Sequence, residues 1–130
     1  MPARVENVTM DCHDEQRMAA FWGEALGYRV TVHQPGDWLA LTPDDPTHPR
    51  LSFEVVPERK IIKNRVHLDL VPAAGGLDDE IARLEALGAR RIRYVENGPD
   101  ASHWIMVDPE GNEFCCSRPP WEHRQSRSDP

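Results

Sequence analysis

The feature that most constrains this chain is an internal repeat. "VTMDC…EALGYRV" in the first half has a counterpart, "VHLDL…EALGARRI", in the second. In each copy a V-x-(M/L)-D segment precedes an apolar helical pattern that ends in A-L-G, and a β-type segment follows. The second copy carries the extra "VPAAGG" before its helix. A chain with two copies of one pattern is expected to fold as two related modules, so each copy constrains the reading of the other.

Within "DEQRMAAFWGEALG", Met18, Phe21, Trp22, Ala25 and Leu26 recur at helical spacing and form one apolar stripe. Asp14 is placed to cap this helix, Glu15 suits the positive end of its dipole, and Gly27 can take the left-handed conformation that ends it. "LDDEIARLEALG" follows the same plan, with Leu77, Ile81, Leu84 and Leu87 on one side, Asp78 and Asp79 near the start and Gly88 as the stop. Segments of alternating or β-branched character span 5–12, 28–33, 38–42, 50–56, 65–71, 90–95, 103–108 and 113–117. "QPGD", "TPDDPTHP", "ENGPD" and "DPEGN" supply turns between them.

The predicted fold is therefore α+β: two βαβββ modules, about residues 5–56 and 65–118, within one domain covering 1–118. Such modules are expected to pair into a curved, largely antiparallel sheet, helices on one face and a concave cavity on the other, which is where a ligand would go. Residues 119–130, "PPWEHRQSRSDP", have no periodicity and read as a flexible or docking tail with Trp121 as its anchor.

Composition narrows the function classes. A formal charge of −7, from 22 acidic and 15 basic residues, opposes general binding of nucleic acid or an anionic membrane. No apolar run reaches membrane-span length and "MPARVENV" lacks a secretory pattern, so a cytoplasmic location is expected. Cys12, Cys115 and Cys116 are an odd set whose adjacent pair points to opposite strand faces, which favours reduced thiols.

Strand alternation assigns faces. Val8, Met10 and Cys12, then Leu51, Phe53 and Val55, then Val66, Leu68 and Leu70, then Phe114 and Cys116 should meet the helices. That leaves Asn7, Thr9, Asp11, Ser52, Glu54, Arg65, His67, Asp69, Glu113, Cys115 and Ser117 on the other side. An imidazole there, oriented by Glu54 or Asp69, is a candidate general base, and the alternative is a satisfied histidine–carboxylate pair. Arg59, Lys60, Lys63 and Arg65 form a basic cluster suited to a carboxylate or phosphate, or to pairing with nearby acids in a solvated loop. Trp38 and Trp104 are candidate aromatic walls or core residues. His13, His33, His48, His103 and His123 read as surface residues at turns or strand ends.

"VTMDCHDEQRMAAFWGEALGYRV", "LSFEVVPERKIIKNRVHLDL" and "WIMVDPEGNEFCC" resemble the vicinal oxygen chelate superfamily, which groups glyoxalase I, bleomycin-resistance proteins and extradiol dioxygenases, and within it the bacterial glyoxalase-like domain proteins. The resemblance covers residues 5–118 and implies paired modules and a homodimer. In metal-using members the ligands come from the first, fourth, fifth and eighth strands. Carried over singly, these positions fall on Asn7 or Thr9, on Glu54, on His67 and on Cys115, where such relatives usually carry glutamate. The implied metal set is His67, Glu54 and Cys115, for zinc, nickel, iron or manganese, and its incompleteness weighs against a bound ion. The implied function is action on a small oxygen-rich molecule through His67 and Glu54, with or without metal, the lyase and dioxygenase chemistries of the superfamily being the models. Asn7, Thr9, Asp11, Trp38, Arg65, Asp69, Trp104 and Glu113 would line the ligand site. The alternative is a non-catalytic binder of the drug-sequestering kind.

Overall fold

The computed structural model describes residues 1–98 and 102–122. Its elements are β1 (Asn7–Cys12), α1 (Glu15–Leu26), β2 (Arg29–Gln34), β3 (Trp38–Thr42), β4 (Arg50–Val55), β5 (Asp69–Leu70), α2 (Leu77–Leu87), β6 (Arg90–Val95), β7 (His103–Val107) and β8 (Glu113–Ser117). The order is βαβββ twice, in an α+β fold. Chain contacts divide it into two units, Met1–Arg59 and Lys60–Pro130.

In the first unit the strands lie in the order β1-β4-β3-β2. β1 runs parallel to β4 because α1 reverses the chain between β1 and β2, and the remaining pairs are antiparallel. The Asp14 carboxylate accepts from the Gln16 and Arg17 backbone N–H groups, both at 3.1 Å, and caps α1 as its sequence predicts. Gly27, at φ 70°, ends the helix. Met18, Phe21 and Trp22 are buried, as are Leu39, Leu41, Leu51 and Phe53, which share one sheet face by register. Each such large side chain contributes about 1.5–3 kcal/mol by leaving water.

The second unit repeats the plan as β5-β8-β7-β6, with β5 parallel to β8. Leu77, Ile81 and Leu84 of α2 are buried together with Met106, Phe114 and Cys116. The strand expected over 65–71 is shorter than its pattern suggests: only Asp69 and Leu70 join the ladder, and Val66, assigned to the core, is 75% exposed. The physical reason lies on β8. The Glu113 carboxylate accepts from the Asn64 backbone N–H at 2.9 Å and from the Lys60 ammonium at 3.0 Å. A side chain thus holds the approach to β5, and backbone contact begins where the Cys115 N–H donates to the Leu68 carbonyl at 2.9 Å.

Residue 119 was the expected start of the tail. Residues 120–122 begin a helical turn in which the Trp121 indole N–H donates to the Gly75 carbonyl at 2.8 Å. Glu122 accepts from the Leu77 N–H at 2.9 Å and from Arg118 at 2.6 Å. Gly76, at the N-cap of α2, makes no side-chain cap bond, so Glu122 supplies that acceptor from a distant part of the chain. His123 and the rest of the tail lie outside the described residues, as do Pro99 and Asp100 of the expected "ENGPD" turn. Among the described residues no helix is long and apolar enough to cross a membrane.

Candidate functional site

Extended backbone puts alternate residues on one side, so His67 and Asp69 share a face, and the parallel register sets Asp69 beside Cys115. His67 Nδ1 lies 2.8 Å from Asp69 Oδ1. Cys115 Sγ lies 4.0 Å from the same ring nitrogen. Ligand atoms of all three residues fall within 4.8 Å of one another. A carboxylate can only accept, so Nδ1–H donates to Asp69, and in a neutral ring Nε2 would keep its lone pair. The His67 side chain is 40% exposed, open enough to receive a ligand at Nε2.

Cys115 is half-buried. Burial first, then the charge of Asp69 and a hydrogen bond to it, push the thiol up, against a small opposing pull from Lys63. The thiol therefore stays protonated at neutral pH, which disfavours Cys115 as a nucleophile. Neighbouring Cys116 faces the α2 side, is fully buried, and is pushed up to about 12 chiefly by that burial.

Several expected ligand contacts are placed differently. Glu113 is committed to Lys60 and Asn64, and although burial pushes its carboxyl up, these bonds outweigh it and hold the group below the usual carboxylate range. Lys60 also bonds the Ile62 carbonyl, so that member of the basic cluster pins its own loop, while Arg65 is exposed. Trp104 was considered as a pocket wall or a core residue. Its register partner is Cys116, not Cys115, so it lies on the face opposite His67. There it packs against Tyr94 at 5.3 Å between ring centres, with the Arg91 guanidinium 5.1 Å from its own.

The first unit has a polar face of its own. Asn7, Thr9 and Asp11 of β1 stand in register with Arg50, Ser52 and Glu54 of β4, and Trp38 of β3 stands beside Glu54. Ser52 donates to Asn7 Oδ1 at 2.9 Å, and Asn7 Nδ2 donates to Thr9 at 3.1 Å. Glu54 and Asp11 are both exposed. The carboxylate that bonds His67 is Asp69; Glu54, named with His67 from the sequence, belongs to this other unit. Arg50 was not anticipated: its Nε is buried and has no hydrogen-bond partner among the described residues. His33, read as a surface residue, is exposed and bonds the buried Glu15 carboxylate at 2.9 Å.

Residues 7–117 match the family described as "Glyoxalase-like domain". No curated protein matches the sequence. Among solved structures, a glyoxalase/bleomycin resistance protein/dioxygenase family enzyme from Burkholderia phytofirmans is 20% identical, with a TM-score of 0.66 over 88% of this chain and 97% of that one. A fosfomycin resistance protein from Listeria monocytogenes, in complex with Mn(II) and 1S,2S-dihydroxypropylphosphonic acid, is 12% identical, with a TM-score of 0.74 over 98% and 99%. A lactoylglutathione lyase from Agrobacterium tumefaciens is 16% identical, with a TM-score of 0.64 over 89% and 93%. At these identities the likeness is one of fold.

Proposed function

This chain belongs to the glyoxalase-like domain family, and from that premise we propose that it transforms a small oxygen-rich molecule, using His67 to accept a proton from it. The observation that carries the reading is the 2.8 Å bond between His67 Nδ1 and Asp69 Oδ1. On this reading the neutral ring carries its proton on Nδ1, is oriented by the bond and keeps Nε2 as the basic atom, and Asp69 offsets the positive charge that the ring gains with the proton. Asp69 is on this reading a positioning residue, and the protonated Cys115 thiol is a weak donor beside it.

The donor set also fits a divalent ion of the zinc type, since imidazole nitrogen, carboxylate oxygen and cysteine sulfur are all ligands zinc accepts. His67, Asp69 and Cys115 would hold it, and it would supply Lewis acidity toward the oxygens of the bound molecule. Homodimer formation, implied by the resemblance, belongs to the same proposal.

The test is a screen of small carbonyl and vicinal dioxygen compounds by proton NMR, with elemental analysis of protein purified without chelators. Conversion of one compound, lost in His67→Ala, supports the proposal; conversion unchanged in His67→Ala removes His67 from the chemistry. Metal that leaves with the same substitution would assign His67 as a ligand. A second reading, sequestration without reaction, is favoured by the cysteine at position 115, where metal-using relatives of the resemblance usually carry glutamate. A compound that stabilises the fold by mass action and returns intact would establish it.

A further inference from the structure

We propose that Arg50 is an oxyanion-binding group on the polar face of the first unit, receiving a carboxylate or phosphate of a small ligand. This goes beyond the function proposed above, because it gives the first unit a binding group of its own.

Arg50 opens β4 in register with Asn7, and it alternates with Leu51 and Phe53, both buried on the α1 side. It therefore belongs to the face that carries Asn7, Thr9 and Ser52. Its guanidinium is permanently charged and offers a planar fork of donors. Yet its Nε is buried and bonded to nothing among the described residues. Buried donors are nearly always paired, because one left unpaired has lost water and gained nothing. An acceptor arriving with a ligand removes that deficit.

Several acceptors of this unit have partners other than Arg50. Asn7 Oδ1 takes the Ser52 hydroxyl, while the Asn7 amide nitrogen is turned to Thr9. The Glu6 carboxylate, next in sequence to Asn7, pairs with Arg4 at 2.8 Å. Asp44 is held by Arg29, and Asp45 by Thr47. Glu54 shares the face but stands four residues further along β4, roughly 13 Å of extended strand. Along β1 and β4 the Arg50 guanidinium thus stands at one end of the face and the Asp11 and Glu54 carboxylates at the other. Thr9 accepts from Asn7 and keeps its own hydroxyl proton to donate, so a hydroxyl and a guanidinium fork stand on the same face. A fork of this kind matches two oxygens of one carboxylate or phosphate, and a single chloride does not use it.

The experiment reads the atom itself. In 15N-labelled protein the Arg50 Nε–Hε cross-peak, assigned by its absence in Arg50→Lys, is followed during titration with acetate, with inorganic phosphate, and with chloride at equal ionic strength. The expected result is a saturable displacement by acetate, by phosphate or by both, and none by chloride; the more effective probe distinguishes a carboxylate from a phosphate ligand. In Arg50→Met, affinity for that probe should fall about tenfold or more by isothermal calorimetry. Failure of both anions to move the cross-peak in the unaltered protein overturns the proposal, whatever the variants do. Since the readout is binding and not turnover, its failure is distinguishable from failure of the His67 chemistry.

Discussion

The Asp69 carboxylate lies 2.8 Å from His67 Nδ1 and is also the register partner of Cys115, so one charge acts on an imidazole and on a thiol. For the imidazole, loss of the ring should be more damaging than loss of its support. His67→Ala is expected to lower kcat/KM on any converted compound by about 10²–10⁴-fold. Asp69→Asn should cost about 10–100-fold and fall mainly on kcat. Equal loss in both variants, with KM alone affected, would assign the pair to binding.

For the thiol, the same carboxylate should slow alkylation. Burial and Asp69 push the Cys115 thiol up, so its thiolate is scarce at neutral pH and grows only as pH rises through the raised value. In chelator-treated protein, iodoacetamide labelling followed by peptide mass spectrometry should find Cys115 slow at neutral pH. Asp69→Asn, by removing the charge, should quicken it several-fold. Buried Cys116, at about 12, should remain unlabelled in the folded protein. Fast labelling of Cys115 in the unaltered chain would contradict this electrostatic account.

Acid should weaken the first unit through Glu15. This carboxylate is 5% exposed and accepts from His33 at 2.9 Å and from the Gly36 N–H at 2.8 Å. The His33 bond first, then that of Gly36, hold its carboxyl below the ordinary glutamate value, against burial. A carboxyl lowered on folding contributes stability that is complete above its unfolded value, about 4.3, and is lost as pH falls through the folded value. Glu15→Gln should therefore cost about 1–3 kcal/mol near neutrality. The difference should shrink toward zero below the folded value in urea titrations across pH. A constant difference down to strong acid would show that charge is not the cause.

Glu122→Ala should loosen the start of α2. Removing an N-terminal acceptor costs about 1 kcal/mol, and Glu122 serves the Leu77 N–H where Gly76 has no side chain to do so. A lowered urea midpoint with unchanged slope, together with faster hydrogen exchange at Leu77, is the expected outcome. Normal protection at Leu77 would remove Glu122 from this role.

Much of this was legible in the sequence because local physics decides it. The Met18–Phe21–Trp22 stripe, the Asp14 cap and the Gly27 stop lie within one segment and locate α1 without help. β5 was overextended because Val66 keeps the same alternation as Leu68, while the Glu113 side chain that interrupts the ladder is 49 residues from Asn64. Trp104 could not be assigned a face because "HWIMV" is apolar at nearly every position and gives period two nothing to select. Glu15 was read correctly as a residue of the first helical turn, but its burial depends on the β2–β3 hairpin folding back onto it. Of the candidate site, His67, Asp69 and Cys115 were placed on one face by alternation alone. Arg50 was missed because its only signal is an absent partner, which no sequence displays.

In both units the strand that opens the module lies in parallel beside the strand that closes it. Asn7 meets Arg50, 43 positions later (50 − 7), while β2 and β3 meet across a short turn. On a ribosome the hairpins are ready early, and β1 waits, its backbone unclaimed, until the end of its own repeat emerges. The seam between first and last strand is the step at which each half becomes a finished sheet, and a chain halted before residue 50 would leave that edge open to any other strand at hand.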